Sequence, residues 1–272
     1  MKIVTYNLNG IRAAHKLGVL DWVMQEDADI YCFQEVRADE PTCRTLFNGD
    51  LTGGGAAGYH LICNCGERAG YSGTAVLTKR TPDRVEYGLN DADPEGRTIT
   101  MWFGDTVIVN SYVPNGTSRL EFKLEYFDRL TAHLADLART HHVILCSDTN
   151  IAHTENDVSH PRENSKRSGY LPVERARLST LLSRGFIDTY RALHPTGKAY
   201  SWRSYRSRTV GGDFGWKFRF DYIITNTSLP DTVTIQEAPY SDHLPVMGVW
   251  GRLSPPHLDF HKNICYASRD EK

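Results

Sequence analysis

The chain reads as an α/β protein, two β-sheets packed face to face with helices outside. Three observations predict this. Short apolar strands alternate with helical stretches along most of the 272 residues. Twice a strand is followed by a helix and then another strand, a pass that lays both strands parallel with their ends at one edge. No repeat of fixed short period and no low-complexity linker interrupts the pattern, so one layered core serves it. Residues 1–253 are read as one domain, and residues 254–272, which lack periodicity, as a tail.

Lys2 to Leu8 is a short apolar strand ending in Asn7, Asn9 and Gly10. From Ile11 to Asp27 the spacing of Ile11, Ala14, Leu20, Val23 and Met24 predicts a helix, with Gly18 arguing against continuity. Asp29 to Gln34 is a second apolar strand, and Glu35 follows it. A Gly-rich loop at 53–58 precedes a strand at Tyr59–Cys65. Ser72–Lys79, Thr98–Phe103 and Val107–Val113 read as a run of antiparallel strands. Ser118 opens the clearest helix: Ser118 and Glu121 fit a capping box, and Leu120, Leu124, Phe127, Leu130, Leu134 and Leu137 share one face. That helix returns the chain to an apolar strand from Val143. A basic loop (His160 to Gly169) leads to a second helix, Val173 to Arg184, and strands at Phe220–Thr225, Thr232–Gln236 and Leu244–Trp250 finish the body.

With 40% hydrophobic residues the chain can bury a substantial core. Its 31 basic and 33 acidic residues leave no global positive field, so a polyanionic partner needs a local basic patch. Six cysteines (32, 43, 63, 65, 146 and 265) are scattered, several in apolar runs, which points to a reducing compartment rather than a disulfide framework. Cys63-Asn-Cys65 is too close for a usual zinc pair and has no second pair, so it is read as strand. No apolar stretch approaches the length of a membrane span, and Met1 leads straight into a strand. A cytoplasmic protein is expected, with no membrane partner.

The centre of the chain is Val143 to His153. Its apolar run switches abruptly to Ser147, Asp148, Thr149 and Asn150, as a strand does when it delivers polar groups to a cleft. On a continuing strand Asp148 and Asn150 point to the same face. Such a pair can hold a water, a metal or a phosphate oxygen; an Asx-rich loop is the plainer alternative. Polar residues recur where other strands stop: Asn7, Glu35, Tyr112 and, before the last strand, Asp242-His243. Together they suit metal-assisted phosphoester hydrolysis, with oxygen ligands matched to Mg²⁺ or Mn²⁺ rather than zinc. Singly, each has a plainer reading: Glu35 as a capping acid, Tyr112 as a packed turn aromatic, His243 as a structural histidine. Asp221 either pairs with a neighbouring arginine or orients His243 in a dyad.

An ordered, collinear set of motifs then carries a resemblance over roughly residues 1 to 250. They are Asn7-Leu-Asn-Gly-Ile-Arg-Ala13, Gln34-Glu-Val-Arg37, Tyr71-Ser-Gly-Thr-Ala-Val-Leu-Thr-Lys79, Glu95-Gly-Arg97, Asn110-Ser-Tyr-Val-Pro-Asn-Gly116, Asp148-Thr-Asn-Ile-Ala-His153, Gly215-Trp216 with Asp221-Tyr222, and Ser241-Asp-His-Leu-Pro245. The chain resembles the exonuclease III family of apurinic/apyrimidinic endonucleases, within the endonuclease/exonuclease/phosphatase superfamily. The resemblance implies a four-layer α/β sandwich and a divalent cation, usually Mg²⁺ with Mn²⁺ able to substitute. It implies action on double-stranded DNA, on the 5′ side of abasic sites, with 3′-to-5′ exonuclease and 3′-phosphatase activity at 3′ ends. Carried over by motif, Asn7, Glu35 and Asp242 hold the metal or its waters, with Asp148, Asn150 and His243 beside it. Asp148 orients and deprotonates the attacking water, Asn150 helps place it, and His243, held by Asp221, contacts the scissile phosphate. Tyr112 binds the phosphate or assists the leaving oxygen, and Asn115 adds a phosphate contact. The protein is expected to act as a monomer.

Two departures stand out. Ser147 occupies the position where the family usually has Gly, so backbone approach there is expected to be tighter. Two extra residues separate Trp216 from Asp221, so either Trp216 or Phe218 takes the family's abasic-pocket position. Residues 202–219 also supply the missing basic patch. There Arg203, Arg206, Arg208, Lys217 and Arg219 interleave with Trp202, Tyr205, Phe214, Trp216 and Phe218, a pattern suited to DNA phosphates plus an extruded nucleotide. The alternative is a solvated basic loop over core aromatics. Two other functions remain open on the sequence: a phosphoesterase acting on RNA or a small phosphorylated molecule, and a DNA-binding protein without catalysis.

Overall fold

Both strand–helix–strand passes fold as parallel pairs in the computed structural model, which describes residues 1–48, 58–204 and 215–251. In chain order the first sheet's elements come early: β1 (Lys2–Asn7), α1 (Ile11–Lys16), α2 (Val19–Glu26), β2 (Ile30–Gln34), α3 (Glu40–Asn48), β3 (His60–Asn64) and β4 (Thr74–Thr78). Then follow β5 (Arg84–Tyr87), β6 (Thr98–Phe103), β7 (Thr106–Tyr112), α4 (Leu120–Leu137) and β8 (His142–Asp148). After these come α5 (Pro161–Asn164), α6 (Pro172–Ser183), β9 (Ile187–Asp188), α7 (Thr189–Leu193), β10 (Trp202–Arg203) and β11 (Lys217–Phe218). The chain closes with β12 (Asp221–Thr225), β13 (Thr232–Ile235) and β14 (Val246–Val249).

Two six-stranded mixed sheets result, ordered β13-β14-β1-β2-β4-β3 and β5-β6-β7-β8-β12-β9. Between them lie Ile3, Cys32, Val76, Met101, Ile108, Ile144, Cys146 and Ile223, all buried. The strands bury both faces, which is why β2, β4 and β8 read as continuous apolar runs. Two further clusters put helices on the outer faces: α1–α3 over the first sheet, α4 and α6 over the second. The expected two-sheet sandwich with helices outside is what forms. A polar link also crosses the inter-sheet core. The buried Asn110 amide donates to Phe33 O and Ala75 O, both at 3.0 Å, and accepts from Gln34 Nε2 at 2.8 Å.

Several local expectations give way. The helix expected over 11–27 is two helices, because Gly18 takes φ +90°, which an α-helix cannot continue through. The Ser118–Glu121 capping box does not form: α4 starts at Leu120 without a side-chain cap. β4 belongs to the first sheet and β6–β7 to the second, so the supposed antiparallel run is split between layers. α3 and β5 were not legible as elements, although Asp39 accepts Thr42 N at 2.9 Å and Pro41 sits in the first turn, a recognisable helix start. Cys63 lies on β3 as expected, but α3 brings a third thiol, Cys43, to the Cys63-Asn-Cys65 pair. The tail, the loop before Gly58, and Tyr205, Arg206, Arg208 and Phe214 lie outside the described residues.

Candidate active site

The polar residues at strand ends converge because the strands that carry them end on one rim. β1 and β2 are parallel, as are β7 and β8. β14 and β12 run antiparallel to their neighbours and begin where those end, Asp221 lying opposite Asp148. Asn7, Glu35, Tyr112, Asp148 and Asp221 therefore meet from two sheets, and His243 joins them from the turn before β14.

Asp148 sits at the centre, 1% exposed. Its Oδ2 accepts Asn7 Nδ2 at 2.8 Å across the sheet-to-sheet gap, and its Oδ1 accepts the Asn150 backbone N–H at 2.8 Å. The expected continuing strand is absent here. It ends at Asp148, and Asn150 turns back with φ +50°, so its amide meets Asp148 by a turn rather than by strand alternation. Asn150 Nδ2 donates to Val113 O at 2.9 Å, and its Oδ1 accepts Asn115 Nδ2 at 3.3 Å. Five of the seven described non-glycine residues with positive φ lie on or beside this rim: Asn9, Glu35, Arg37, Ser72 and Asn150. Each such position costs on the order of 1–3 kcal/mol, strain that folds concentrate where side chains must be aimed.

His243 and Asp221 form the dyad rather than the alternative arginine pair. Nδ1 lies 2.8 Å from Asp221 Oδ2, and Nε2 faces Asp148 Oδ2 at 3.8 Å. Ser201, fully buried, fixes that carboxylate. Its hydroxyl donates to Asp221 Oδ2 at 2.6 Å and accepts the backbone N–H groups of Phe220 and Asp221, each at 3.0 Å. Burial pushes Asp148 up to about 7; His243 pulls it back and Asp221 adds to the rise. Burial disfavours the imidazolium of His243, but Asp221 and Asp148 outweigh it and raise that residue to about 10. Tyr112 is raised well above the usual phenol range by burial, with Glu35 and Asp148 reinforcing.

Glu35 Oε2 accepts Asn7 Nδ2 at 3.1 Å, and its Oε1 pairs with Arg37 at 2.5 Å. Asp242 is held by Asn9 Nδ2 at 2.8 Å and Trp202 Nε1 at 3.0 Å. Asn7, Glu35, Asp148 and Asp242 present hard oxygen donors, which suit Mg²⁺-like cations. Asp148, Asp221 and His243 also bring one ligand atom each within 4.8 Å of one another. Asp221 Oδ1 has no hydrogen-bond partner among the described residues. The residues present thus fit a divalent cation, although His243 Nδ1 is already engaged by Asp221.

Other groups act through these. Arg97 donates to Tyr112 O at 2.9 Å, stands 4.8 Å over its ring, and is anchored by Glu95 at 2.6 Å. The Glu95-Gly-Arg97 motif was the available signal. Lys123 and Glu174, fully buried and paired at 2.6 Å, had none: Lys123 Nζ also donates to Asn150 O at 2.6 Å and so supports the turned-back residue. Replacing Lys123 by Met strands the Glu174 carboxylate among neutral donors. A loss of about 3–5 kcal/mol is expected in denaturant melts. Adding Glu174→Gln should restore part of it; a single variant as stable as wild type would refute the pair's role.

The aromatic-basic stretch divides. Phe218 pairs across β10–β11 with Trp202 and stacks on Phe220 at 4.8 Å. Trp202 lies 6.5 Å from the His243 ring, so this group borders the dyad. Trp216 instead lies under the Arg167 guanidinium at 3.5 Å. Arg203 pairs with Glu237. Arg219 is not part of any surface patch. It is fully buried between Asp157 at 2.7 Å and Asp188 at 2.6 Å, and the two carboxylates together accept from its Nε, Nη1 and Nη2. Ser147 is also fully buried, and its Oγ has no partner among the described residues.

The sequence profile of the Endonuclease/Exonuclease/phosphatase family matches residues 4–243. An exodeoxyribonuclease of Bacillus subtilis is 34% identical over 257 residues, 90% of this chain and 98% of that protein. DNA repair nuclease APEX1 of Danio rerio is 35% identical over 255 residues, 90% of this chain and 81% of that protein. The solved structure of a 3′-5′ exonuclease from Neisseria meningitidis superposes with a TM-score of 0.78 at 26% identity, covering 92% of this chain and all (100%) of that one. The chain belongs to the endonuclease/exonuclease/phosphatase family, in the branch that holds exodeoxyribonucleases and AP endonucleases.

Proposed function

We propose that the protein is a divalent-metal-dependent DNA-repair nuclease. It hydrolyses the phosphodiester on the 5′ side of abasic sites and trims or dephosphorylates 3′ ends at the same centre. The observation that carries this reading is Asp148 meeting Asn7 at 2.8 Å from the opposite sheet, beside the Asp221–His243 dyad. A buried carboxylate pushed up to about 7 is poised to take a proton at neutral pH. The names of the relatives support DNA as the substrate.

In this reading Asp148 takes the proton of a water that Asn150 orients. The water oxygen bonds to phosphorus and the P–O3′ bond breaks; the departing 3′ oxygen takes a proton from solvent, leaving a 3′ hydroxyl and a 5′ phosphate. Charge gathering on the non-bridging oxygens is met by His243, held in place by Asp221, and by Asn115. Tyr112, braced by Arg97, binds the phosphate or assists the departing oxygen. A divalent cation held by Asn7, Glu35 and Asp242 would neutralise phosphate charge. Trp202, partly exposed beside the dyad and backed by the buried Phe218 and Phe220, presents an apolar face fit to accept a flipped abasic sugar and reject one that still bears a base.

A labelled abasic duplex and an undamaged duplex with a recessed 3′ end, each incubated with and without Mg²⁺, test the reading. Mg²⁺-dependent cutting at the abasic site is expected. Inertness on both, with turnover of RNA or small phosphate esters, would overturn it in favour of another phosphoesterase. The wall has its own test. Phe218→Leu should lower the ratio of abasic incision to 3′-exonuclease activity several-fold, and Trp216→Leu should leave it near wild type. The reverse pattern would move the pocket to Trp216.

A further inference from the structure

A second cluster of ligating side chains lies away from the rim, on the outer face of the first sheet. Cys43 on α3, Cys63 on β3 and Cys65 just beyond that strand hold their sulfur atoms within 4.8 Å of one another. Cys63 and Cys65 are two apart and share the face that α3 covers, so the helix closes the triangle. Cys43 is fully buried, while Cys63 and Cys65 are half-buried at the helix margin.

We propose that Cys43, Cys63 and Cys65 form a binding site for a thiophilic divalent cation, Zn²⁺ by chemistry, distinct from the oxygen-lined centre. Thiolates around tetrahedral zinc stand about 3.8 Å apart, given Zn–S bonds of about 2.3 Å. The triangle therefore needs to contract by no more than about 1 Å. Three sulfurs select zinc over the Mg²⁺ or Mn²⁺ that suits Glu35 and Asp242. On binding, each thiol that becomes a ligand releases its proton to solvent.

Packing of the three sulfurs as apolar groups against Tyr59, Leu61 and Phe47 is the alternative, and it predicts no metal uptake. Placement argues for a structural role. A Cβ on Gly96 would come within 2.3 Å of Asn64 O and 2.7 Å of Cys65 C, so the segment carrying Cys65 packs directly on the turn that leads to Arg97. A cation there would fasten that segment.

The test is a Co²⁺ titration of the reduced, metal-stripped full chain in excess Mg²⁺, which leaves thiolate sites as the ones that give thiolate-to-cobalt charge-transfer absorption. One Co²⁺ per chain is expected, displaced by Zn²⁺, with Zn²⁺ raising the melting temperature. Cys65→Ser, at a half-buried position, should weaken binding by more than about tenfold, at least what outer-shell changes do at zinc sites. It should leave Mg²⁺-dependent nuclease activity unchanged. Three outcomes would overturn the site: no charge-transfer band, a band that survives in Cys63→Ser/Cys65→Ser, or a disulfide among these thiols with no cobalt uptake after reduction.

Discussion

Asp148→Asn should cut turnover on an abasic duplex by about 10²–10⁴-fold, the usual contribution of a general base, while DNA affinity changes far less. The substitution keeps the side chain's shape and can keep the bond from the Asn150 N–H at 2.8 Å. It removes the proton acceptor and turns the Asn7 contact from a charge-assisted bond into an ordinary amide pairing at best. The loss should therefore fall on the chemical step in single-turnover assays, with gel-shift affinity nearly preserved. Cleavage within a few-fold of wild type would show that another group takes the proton. Asp221→Asn gives an informative contrast. His243 loses the carboxylate that holds it charged, yet Asp148 remains, so a smaller fall is expected.

The second large effect concerns the metal. Exhaustive chelation should abolish cleavage, and added Mg²⁺ or Mn²⁺ should restore it, because the donors on the rim are carboxylate and amide oxygens. Glu35→Ala removes one of those oxygens and also releases Arg37 from a 2.5 Å ion pair. It should raise the metal concentration needed for half-maximal activity at least tenfold, with rate largely recovered at saturation. Cleavage that persists after chelation, or a Glu35→Ala variant with an unchanged metal requirement, would remove Glu35 from the site. Melting curves with and without Mg²⁺ separate this effect from unfolding.

The rim was legible in the sequence because its signal is local. An apolar run that stops at Asn7, Glu35, Tyr112 or Asp148 can be seen within a few residues, and strand–helix–strand order places those stops at one edge. What supports the rim was not legible, because it is made at long range. Lys123 meets Glu174 and Asn150 only once α4 and α6 have packed, and Ser201 reaches Asp221 from a loop. Neither residue differs in type from ordinary surface positions. Arg219 shows the opposite failure. Arginine between aromatics looks the same whether it faces DNA or is locked between Asp157 and Asp188, and only the fold tells them apart. Sheet membership was also hidden, since β4 and β6 have similar patterns yet lie in different layers.

The amide of Asn110 gives this architecture a vulnerability of its own. It bonds across the interior to Phe33 O and Ala75 O at 3.0 Å, a short way beneath the place where Asn7 touches Asp148. The centre is whole only where groups of both sheets meet, Asn7 on Asp148 and His243 on Asp221, so the catalytic alignment works as a caliper on the distance between layers. A core change that spreads the sheets by a few tenths of an ångström, such as a bulkier residue at Cys32 or Cys146, would be read first as lost turnover and only later as lost folding. Substitutions on the buried face between the sheets should thus act on rate from a distance, through the spacing of the two layers.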